Sequence, residues 1–554
     1  MTIVNGSLAI LTLAMAAVED GCENFNQVSK LQLTDMTNPI WLKPNGKTCI
    51  RTYQDSFDMR IAFRKANFGN FGPKDSLQFV YPSLVRLGHE ANTLIHKSSK
   101  SSSTESISTY SSPKRYLWDG KPNKEEWQFL VLDTDPFDDH ILHLNGITNQ
   151  LKPNGEIDKE GNGGKTYHYS RRSLMTFAFL EMLVQARMHI NQHQYRKDKG
   201  KMEMPRQLKR LIVTCPTAMS KLEREKLVEC ARNAVILLEN FEYKDITKNT
   251  NPGSSIEIVP AVQKKSADQK WYYDEATCAQ LVYMFGEVGH KYKGCCDEFF
   301  NLYGKSTDSN GQNTLTVGSL DIGAGTSDLM INRYSYSKGA ITTITPEPLF
   351  YDSFYFAGDD MLKGLINELM MLDEESALHK KLKPLSHAEC RQKLRNTFGP
   401  NYNGQSEADR IFRSDFNMQY SIPLMYHYLE LVSNNCSNRT VRFHDVFEEL
   451  PPNENVMKRF EEIFGFSLES LEWDFDFEKV SRIVSDQFEP YLKKIATIMF
   501  ANACDLVILS GRPASLPPIR NIFLKYYAVS PDRLILLNNY CYPTSCWATW
   551  TIQT

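Results

Sequence analysis

Hydrophobic residues follow two spacings along the middle of the chain, one typical of helices and one typical of short strands. Apolar side chains recur at helical spacing between residues 173 and 193. Ser220, with Glu223 three residues later, predicts the start of a second helix. Apolar runs bounded by turn-forming residues predict strands at 210–215, 256–260, 315–320, 328–332, 340–344 and 503–509. Strands that alternate with helices indicate an α/β fold with a buried sheet.

Residues 361–500 have a different pattern, which is helical over most of its length. Within this part, Trp473, Phe475 and Phe477 alternate with polar residues, as the buried side of an amphipathic strand would. We expect these aromatic side chains to belong to a core rather than to a ligand platform. A helical region of this kind, placed between two strand-rich parts, is predicted to be an insertion.

Composition limits the classes of protein that the chain can belong to. The 63 basic residues nearly balance the 66 acidic ones, which argues against a nucleic-acid or membrane-surface partner. Twelve cysteines without a CxxC pair predict reduced thiols and a cytoplasmic location. The apolar run at residues 8–18 lacks a preceding basic residue and is too short to cross a bilayer, so no transmembrane segment is predicted.

The residues from Ser319 to Asp328 combine an apolar strand, a glycine-rich turn and a second strand. Glycines allow backbone N–H groups to approach a phosphate closely, and Thr326 adds a hydroxyl donor. Asp321 is predicted to be catalytic, either by orienting an attacking water or by holding Mg²⁺, for which Asp328 is a second ligand. The residues predicted to contact phosphate are Gly323, Ala324, Gly325 and Thr326. A plain β-hairpin is the alternative interpretation of this segment.

This segment resembles the second phosphate loop of the actin and heat-shock-chaperone superfamily, D-x-G-x-G-T-x-D. The resemblance implies an actin-like ATPase (ribonuclease H-like) fold with two α/β halves, and ATP with Mg²⁺ as cofactors. Residues 211–216 and 274–279 resemble further segments of that superfamily in the same order. On this resemblance Glu275 is a second catalytic carboxylate, near the metal or the nucleotide. The alternative is an ordinary acidic residue favoured at a helix N-terminus.

Two other stretches resemble nucleotide-contacting segments of the same superfamily. Gly358 and Asp359 lie in a sequence that is similar to the chaperone G-G-E-D segment, although a helix N-cap would also explain them. Ser510, Gly511 and Arg512 follow an apolar strand in a sequence that resembles the adenosine motif, with Ser510 in place of the first glycine. The resemblance implies that these five residues contact the nucleotide.

A closer resemblance is to the bacterial virulence factor SrfB family. Residues 111–119, S-S-P-K-R-Y-L-W-D, and residues 271–283 are similar to segments of that family. The resemblance covers residues 80 to 540 approximately, and it implies an ATPase-like core without defining a reaction.

Together these observations predict five parts in the chain. They are a mixed N-terminal region (1–96), a loop-rich segment with a serine-rich linker (97–166), the first part of the ATPase core with the phosphate loop (167–360), a mainly helical subdomain (361–500), and the adenosine-motif strand with a C-terminal tail (501–554). No D-x-G-T turn of the first phosphate loop precedes Pro82, and no D-x-A-x-x-G-A helix follows the adenosine motif. We therefore expect a fold that is incomplete at both ends.

The leading functional hypothesis is a nucleotide-dependent conformational switch that binds ATP and an unidentified protein partner or client. Whether it is also a Mg²⁺-dependent ATPase is left open by the sequence. The alternative is a non-catalytic interaction protein with a degenerate nucleotide site. A small-molecule kinase is a third hypothesis, for which the sequence offers no acceptor pocket or base.

Overall fold

A computed structural model describes most of the chain from residue 168 onward and short pieces before it. The longer described stretches are 168–190, 208–217, 219–243, 256–259, 274–337, 343–400 and 405–540. The shorter ones are 2–3, 30–32, 50–52, 61–63, 85–87, 91, 109–110, 116–124, 127, 150–158, 196–197 and 200. The predictions for residues 8–18 and for the C-terminal tail at 541–554 lie outside these residues, as does most of the serine-rich linker.

Strands and helices alternate in the described part, in agreement with a mixed α/β fold. The strands are β1 (Thr2–Ile3), β2 (Lys30–Gln32), β3 (Ile50–Thr52), β4 (Ile61–Phe63), β5 (Val85–Leu87), β6 (Thr109–Tyr110), β7 (Arg210–Val213), β8 (Glu257–Val259), β9 (Ser306–Thr307), β10 (Asn313–Ile322), β11 (Ser327–Ser337), β12 (Thr343–Phe354), β13 (Arg439–Arg442), β14 (Glu472–Phe475), β15 (Leu506–Ser510) and β16 (Leu534–Leu536). The α-helices are α1 (Arg171–Ile190), α2 (Lys221–Tyr243), α3 (Glu275–Met284), α4 (Cys296–Tyr303), α5 (Gly358–Leu365), α6 (Ala377–Lys381), α7 (His387–Phe398), α8 (Glu407–Phe416), α9 (Ile422–Ser433), α10 (Phe443–Phe447), α11 (Glu454–Phe464), α12 (Phe477–Ala501) and α13 (Pro517–Tyr526).

The described chain divides into two compact units. The N-terminal unit extends to Glu275, and the C-terminal unit extends from Ala276 onward. The boundary falls inside the range 167–360, between the first two residues of α3.

In the N-terminal unit, β1, β7 and β8 form a parallel sheet, and α1 packs against α2. The described apolar residues that predicted α1, Leu174, Phe177, Leu180 and Val184, are buried. Residues 173–181 are all buried, so this part of the helix is covered on every side rather than on one face. The predicted capping box also forms: the Glu223 N–H donates to Ser220 Oγ at 3.3 Å, and the Ser220 N–H donates to the Glu223 carboxylate at 3.2 Å. The predicted strand 210–215 ends earlier, at Val213, and Cys215 makes an isolated bridge to Asp274.

In the C-terminal unit, the central sheet has the strand order β12-β11-β10-β15-β16, and β9 pairs with the start of β10. β11 is antiparallel to both of its neighbours, whereas β10, β15 and β16 are parallel to one another. The sheet is therefore mixed. Pro346 and Pro348 lie in β12, at the edge of the sheet, where a missing N–H is tolerated.

The two faces of this sheet have different chemistry. Six apolar residues of three neighbouring strands point to one face and join the core of the helical region, namely Leu320, Ile322, Leu329, Ile331, Val507 and Leu509. The alternate positions, which carry Ser319, Asp321 and Asp328, point to the other face, because side chains alternate along a strand. The face opposite the helical core thus holds the aspartates that the sequence singled out, together with apolar residues such as Met330 and Ile508.

The region between β12 and β15 is mainly helical, as predicted, and α12 is its longest helix with 25 residues. A two-stranded antiparallel sheet of β13 and β14, whose strands are separated along the chain by α10 and α11, lies among the helices. Trp473 and Phe475 are buried in β14, which confirms the predicted amphipathic strand for these two residues. Phe477 instead begins α12, because the Asp476 carboxylate accepts a hydrogen bond from the Lys479 N–H at 3.0 Å and caps that helix.

Candidate functional site

Three strands of the C-terminal unit bring three oxygen-bearing side chains to the same end of the sheet. Asp321 is the register partner of Asp328 on β11 and of Ser510 on β15. Register partners point to the same face of a sheet, with Cβ atoms about 4.5–5.5 Å apart. All three residues are buried, with exposed fractions of 6% for Asp321 and 2% each for Asp328 and Ser510.

One hydrogen bond links two members of this group directly. The Ser510 hydroxyl donates to Asp321 Oδ1 at 2.6 Å. This O–H···O distance is at the short end of the range that such bonds have in proteins. The side chain of Asp321 is therefore held from the neighbouring parallel strand.

The glycine-rich turn follows Asp321 and reverses the chain between β10 and β11. The Gly323 N–H donates to the Thr326 carbonyl at 2.9 Å and closes the turn. The turn is partly exposed, and Ala324 is exposed, although the aspartates at its base are buried. The turn can therefore be reached from solvent, although the carboxylates at its base are buried.

The N-terminus of α5 is bonded to this turn through main-chain atoms. The Gly358 N–H donates to the Gly323 carbonyl at 3.0 Å, and the Asp359 N–H donates to the Ala324 carbonyl at 2.7 Å. A Cβ at Gly358 would lie 3.2 Å from the Gly323 oxygen, which is a tight contact. The predicted residues Gly358 and Asp359 are therefore next to the predicted phosphate turn in space.

The segment after β15 approaches the same turn from another side. Gly511 has φ +87°, and a Cβ there would lie 2.0 Å from the Ile322 carbonyl oxygen. Glycine is required at this position, because any other residue would collide with the backbone of β10. Arg512 is exposed, and its guanidinium lies 5.3 Å from the ring centroid of Tyr426 on α9.

Glu275 is assigned to the N-terminal unit, and the other predicted site residues belong to the C-terminal unit. The Glu275 N–H donates to the Cys215 carbonyl at 2.9 Å, at the start of α3. The preceding Asp274 accepts a hydrogen bond from the Thr217 hydroxyl at 3.2 Å. The Glu275 side chain is buried, with an exposed fraction of 5%. Its predicted role near the nucleotide stays a prediction.

A buried polar network beneath the site was not predicted from the sequence. Gln280 of α3 donates to Ser319 Oγ at 2.8 Å, and its Oε1 accepts hydrogen bonds from Asn332 at 2.8 Å and from the Tyr334 hydroxyl at 2.7 Å. Gln280, Ser319, Asn332 and Tyr334 are all fully buried. The sequence feature that could have indicated this network is an amide side chain in a short, mainly apolar helix, E-A-T-C-A-Q-L-V-Y-M.

Nucleophilic cysteine chemistry is not supported near the site. Burial raises the pKa of the Cys504 thiol to about 12, so the thiol stays protonated at neutral pH. Cys504 also lies before the first residue of β15, whereas Ser510 lies at its other end.

Among the residues that the structure describes, no group of three or more His, Cys, Asp or Glu could hold a metal ion by itself. No helix in the described part is long and apolar enough to cross a membrane.

The fold and the site define a class of α/β protein in which a mixed sheet carries two buried, paired aspartates beneath a glycine-rich turn. The chain belongs to the virulence factor SrfB family, whose model matches residues 13–551 of the 554 residues. This match confirms the family resemblance that rested on residues 111–119 and 271–283. No curated protein sequence matches the chain.

Proposed function

We propose that this SrfB-family protein binds ATP with Mg²⁺ in its C-terminal unit and uses the nucleotide as a conformational switch. The observation that carries the proposal is the register of Asp321 with Asp328 and Ser510 at the base of the glycine-rich turn. Two buried carboxylates directly opposite each other repel, and a divalent cation would compensate that repulsion.

The arrangement of strands supports an actin-like ATPase fold of the ribonuclease H-like kind. The strand order β12-β11-β10-β15-β16, with only β11 antiparallel to the others, is the order expected of one half of such a fold. The N-terminal unit has its own parallel set of strands, β1-β7-β8, which is comparable with β10-β15-β16. Two α/β halves are therefore part of the proposal.

Each group in the site would have a distinct task. Asp321 and Asp328 would hold the cation, because Mg²⁺ uses one or two carboxylates together with substrate phosphates. When bound, Mg²⁺ neutralises the charge of the phosphate oxygens. The N–H groups of residues 324–326 would bind phosphate, and Arg512 would lie beside the nucleotide. The buried Asp321 carboxylate can accept a proton or orient a water, so hydrolysis is compatible with the site.

A second candidate function is a non-catalytic interaction protein that keeps the fold. It is favoured by the contacts of α5: the N–H groups of Gly358 and Asp359 already donate to turn carbonyls and are committed within the protein. A helix N-terminus used in this way contributes less to phosphate binding. The two candidates differ in whether ATP binds.

Titration calorimetry with ATP, in the presence and absence of Mg²⁺, tests the proposal. We expect Mg²⁺-dependent binding by the wild type, and we expect Asp321→Asn to reduce the affinity by about tenfold or more, because the variant loses the charge that attracts the cation. Asp321→Ala should give the same loss. Asp352→Ala, which removes an exposed carboxylate from the neighbouring strand β12, is the matched control and should bind as the wild type does.

The opposite result is equally informative. If the wild type binds no ATP at millimolar concentration, the proposed ATP-dependent switch is wrong, and the non-catalytic interaction protein becomes the better-supported function. Circular dichroism of each variant establishes that a lost affinity is not a lost fold.

A further inference from the structure

Ser510 occupies a position where the resemblance to the adenosine motif implied a contact with the nucleotide. In the structure its side chain is 2% exposed and its hydroxyl donates to Asp321 Oδ1 at 2.6 Å. A serine hydroxyl has one proton to donate. That proton is committed to Asp321, so Ser510 has no donor left for a phosphate or a ribose.

The strands determine this contact. β10 and β15 run parallel with five residue pairs in register, from Val317 with Leu506 to Asp321 with Ser510. Asp321 and Ser510 form the last of these pairs, at the end of the sheet where the turn begins. Gly511 follows immediately and lies against Ile322, so the backbone on both sides of the contact is fixed by close packing. The serine is therefore presented to the carboxylate by two rigid strands rather than by a loop.

A carboxylate that is held at one oxygen can rotate only a little about its Cβ–Cγ bond. The hydrogen bond to Oδ1 therefore helps to set the plane of the Asp321 carboxylate and the direction of its lone pairs. Removal of a group that orients a metal ligand in this way typically lowers the affinity for the metal by a factor of about 10–100.

We propose that Ser510 is a positioning residue, which holds the Asp321 carboxylate in the orientation that a divalent cation requires, and does not itself contact the nucleotide. The proposal rests on the proposed function of the site. Ser510 stands where the adenosine motif has its first glycine, and the proposal gives this position a role in cation binding.

Ser510→Ala removes the hydroxyl, and calorimetry with ATP separates the two roles. We expect the affinity for ATP without Mg²⁺ to stay within about twofold of the wild type, whereas the gain in affinity caused by Mg²⁺ falls by about tenfold. Ser510→Thr keeps a hydroxyl and should restore the response to Mg²⁺. Ser510→Cys removes the strong donor at nearly constant volume and should behave as Ser510→Ala does.

Ser327→Ala is the matched control. Ser327 is also a buried serine at the end of a strand, and its hydroxyl donates at 2.6 Å, but the acceptor is the Phe356 carbonyl rather than a carboxylate. We expect this variant to keep the wild-type response to Mg²⁺. A loss of Mg²⁺ response in Ser327→Ala equal to that in Ser510→Ala would assign the effect to general packing and would overturn the proposal.

The remaining outcomes distinguish this proposal from the proposed function. If Ser510→Ala lowers the ATP affinity equally with and without Mg²⁺, Ser510 contacts the nucleotide, and only the positioning role is wrong. If the wild type binds no ATP, the proposed function fails, and Mn²⁺ alone is then titrated into the nucleotide-free chain and followed by electron paramagnetic resonance. Weaker Mn²⁺ binding by Ser510→Ala than by the wild type and Ser327→Ala supports the positioning role. Equal binding, or none by the wild type, overturns it.

Discussion

At the scale of single residues, the site depends on a glycine whose backbone no other residue can adopt without strain. Gly511 has φ +87° and ψ 156°, a region that is essentially restricted to glycine. Its Cα faces the carbonyl of Ile322, immediately after Asp321. The close approach of β15 to β10 at this point, and hence the contact between Ser510 and Asp321, requires a residue without a side chain.

Gly511→Ala should therefore destabilise the C-terminal unit. We expect the free energy of unfolding to fall by about 3 kcal/mol, because backbone strain is added to a collision with the backbone of β10. Urea unfolding followed by circular dichroism measures this change.

Gly465→Ala is the matched control for Gly511→Ala. Gly465 has a similar φ of +83°, but no atom lies within 4 Å of the position that a Cβ would occupy. Only the conformational strain of a left-handed residue, about 1–2 kcal/mol, is then expected. Equal losses of stability in the two variants would show that the contact with Ile322 is not tight in solution.

At the scale of secondary-structure elements, α3 is joined to the hairpin of β10 and β11 by hydrogen bonds rather than by apolar packing alone. Gln280 connects Ser319 of β10 with Asn332 and Tyr334 of β11, and Ser319 Oγ also donates to the Ala276 carbonyl at 3.2 Å. Such a network fixes the position of α3 relative to the hairpin of β10 and β11, because a shift of the helix would leave several buried polar groups without hydrogen bonds. The orientation of the turn between these strands depends on that position.

Gln280→Leu keeps the size of the side chain and removes its hydrogen bonds. We expect a loss of about 2–4 kcal/mol in the free energy of unfolding, because buried polar partners on both strands lose an acceptor or a donor. Urea unfolding gives the value. Gln392→Leu on α7 changes an exposed residue of the same type and should cost less than about 0.5 kcal/mol. A comparable cost at the two positions would contradict a special role of the Gln280 network.

At the scale of the whole molecule, each of the two units has buried apolar residues of its own. In the N-terminal unit, Leu237 of α2 is fully buried. In the C-terminal unit, Leu394 of α7 belongs to the core of the helical region. Units that have separate cores generally unfold as separate cooperative transitions.

Scanning calorimetry should therefore resolve two transitions. Leu237→Ala and Leu394→Ala each remove about 2–5 kcal/mol of stability from one unit and should lower the midpoint of one transition, a different one in each variant. For units of this size the shift is about 2–4 °C for each kcal/mol. A single transition that both substitutions lower together would show that the units unfold as one.

The parts of the structure that could be predicted from the sequence are those that depend on neighbouring residues. The turn from Asp321 to Asp328, the capping box at Ser220 and the helical character of residues 361–500 all follow from local patterns. The contact of Ser510 with Asp321 joins residues that are 189 positions apart, and no local pattern predicts which strands become neighbours. Gln280 was missed for the same reason, since its partners lie 37 to 54 positions away.

The helical region is attached to the sheet at two points, of which the first is at the candidate site and the second is at the far end of β15. The chain enters the region through Gly358, which is bonded to the turn, and it returns through α12 into β15, which ends at Ser510. Substitutions within this region are therefore constrained to different degrees, depending on where they fall. Exposed positions on the helices are free to diversify, whereas a side chain at Gly358 would press on the Gly323 carbonyl and alter the turn. New surfaces can thus arise on these helices without a change in the residues around Asp321.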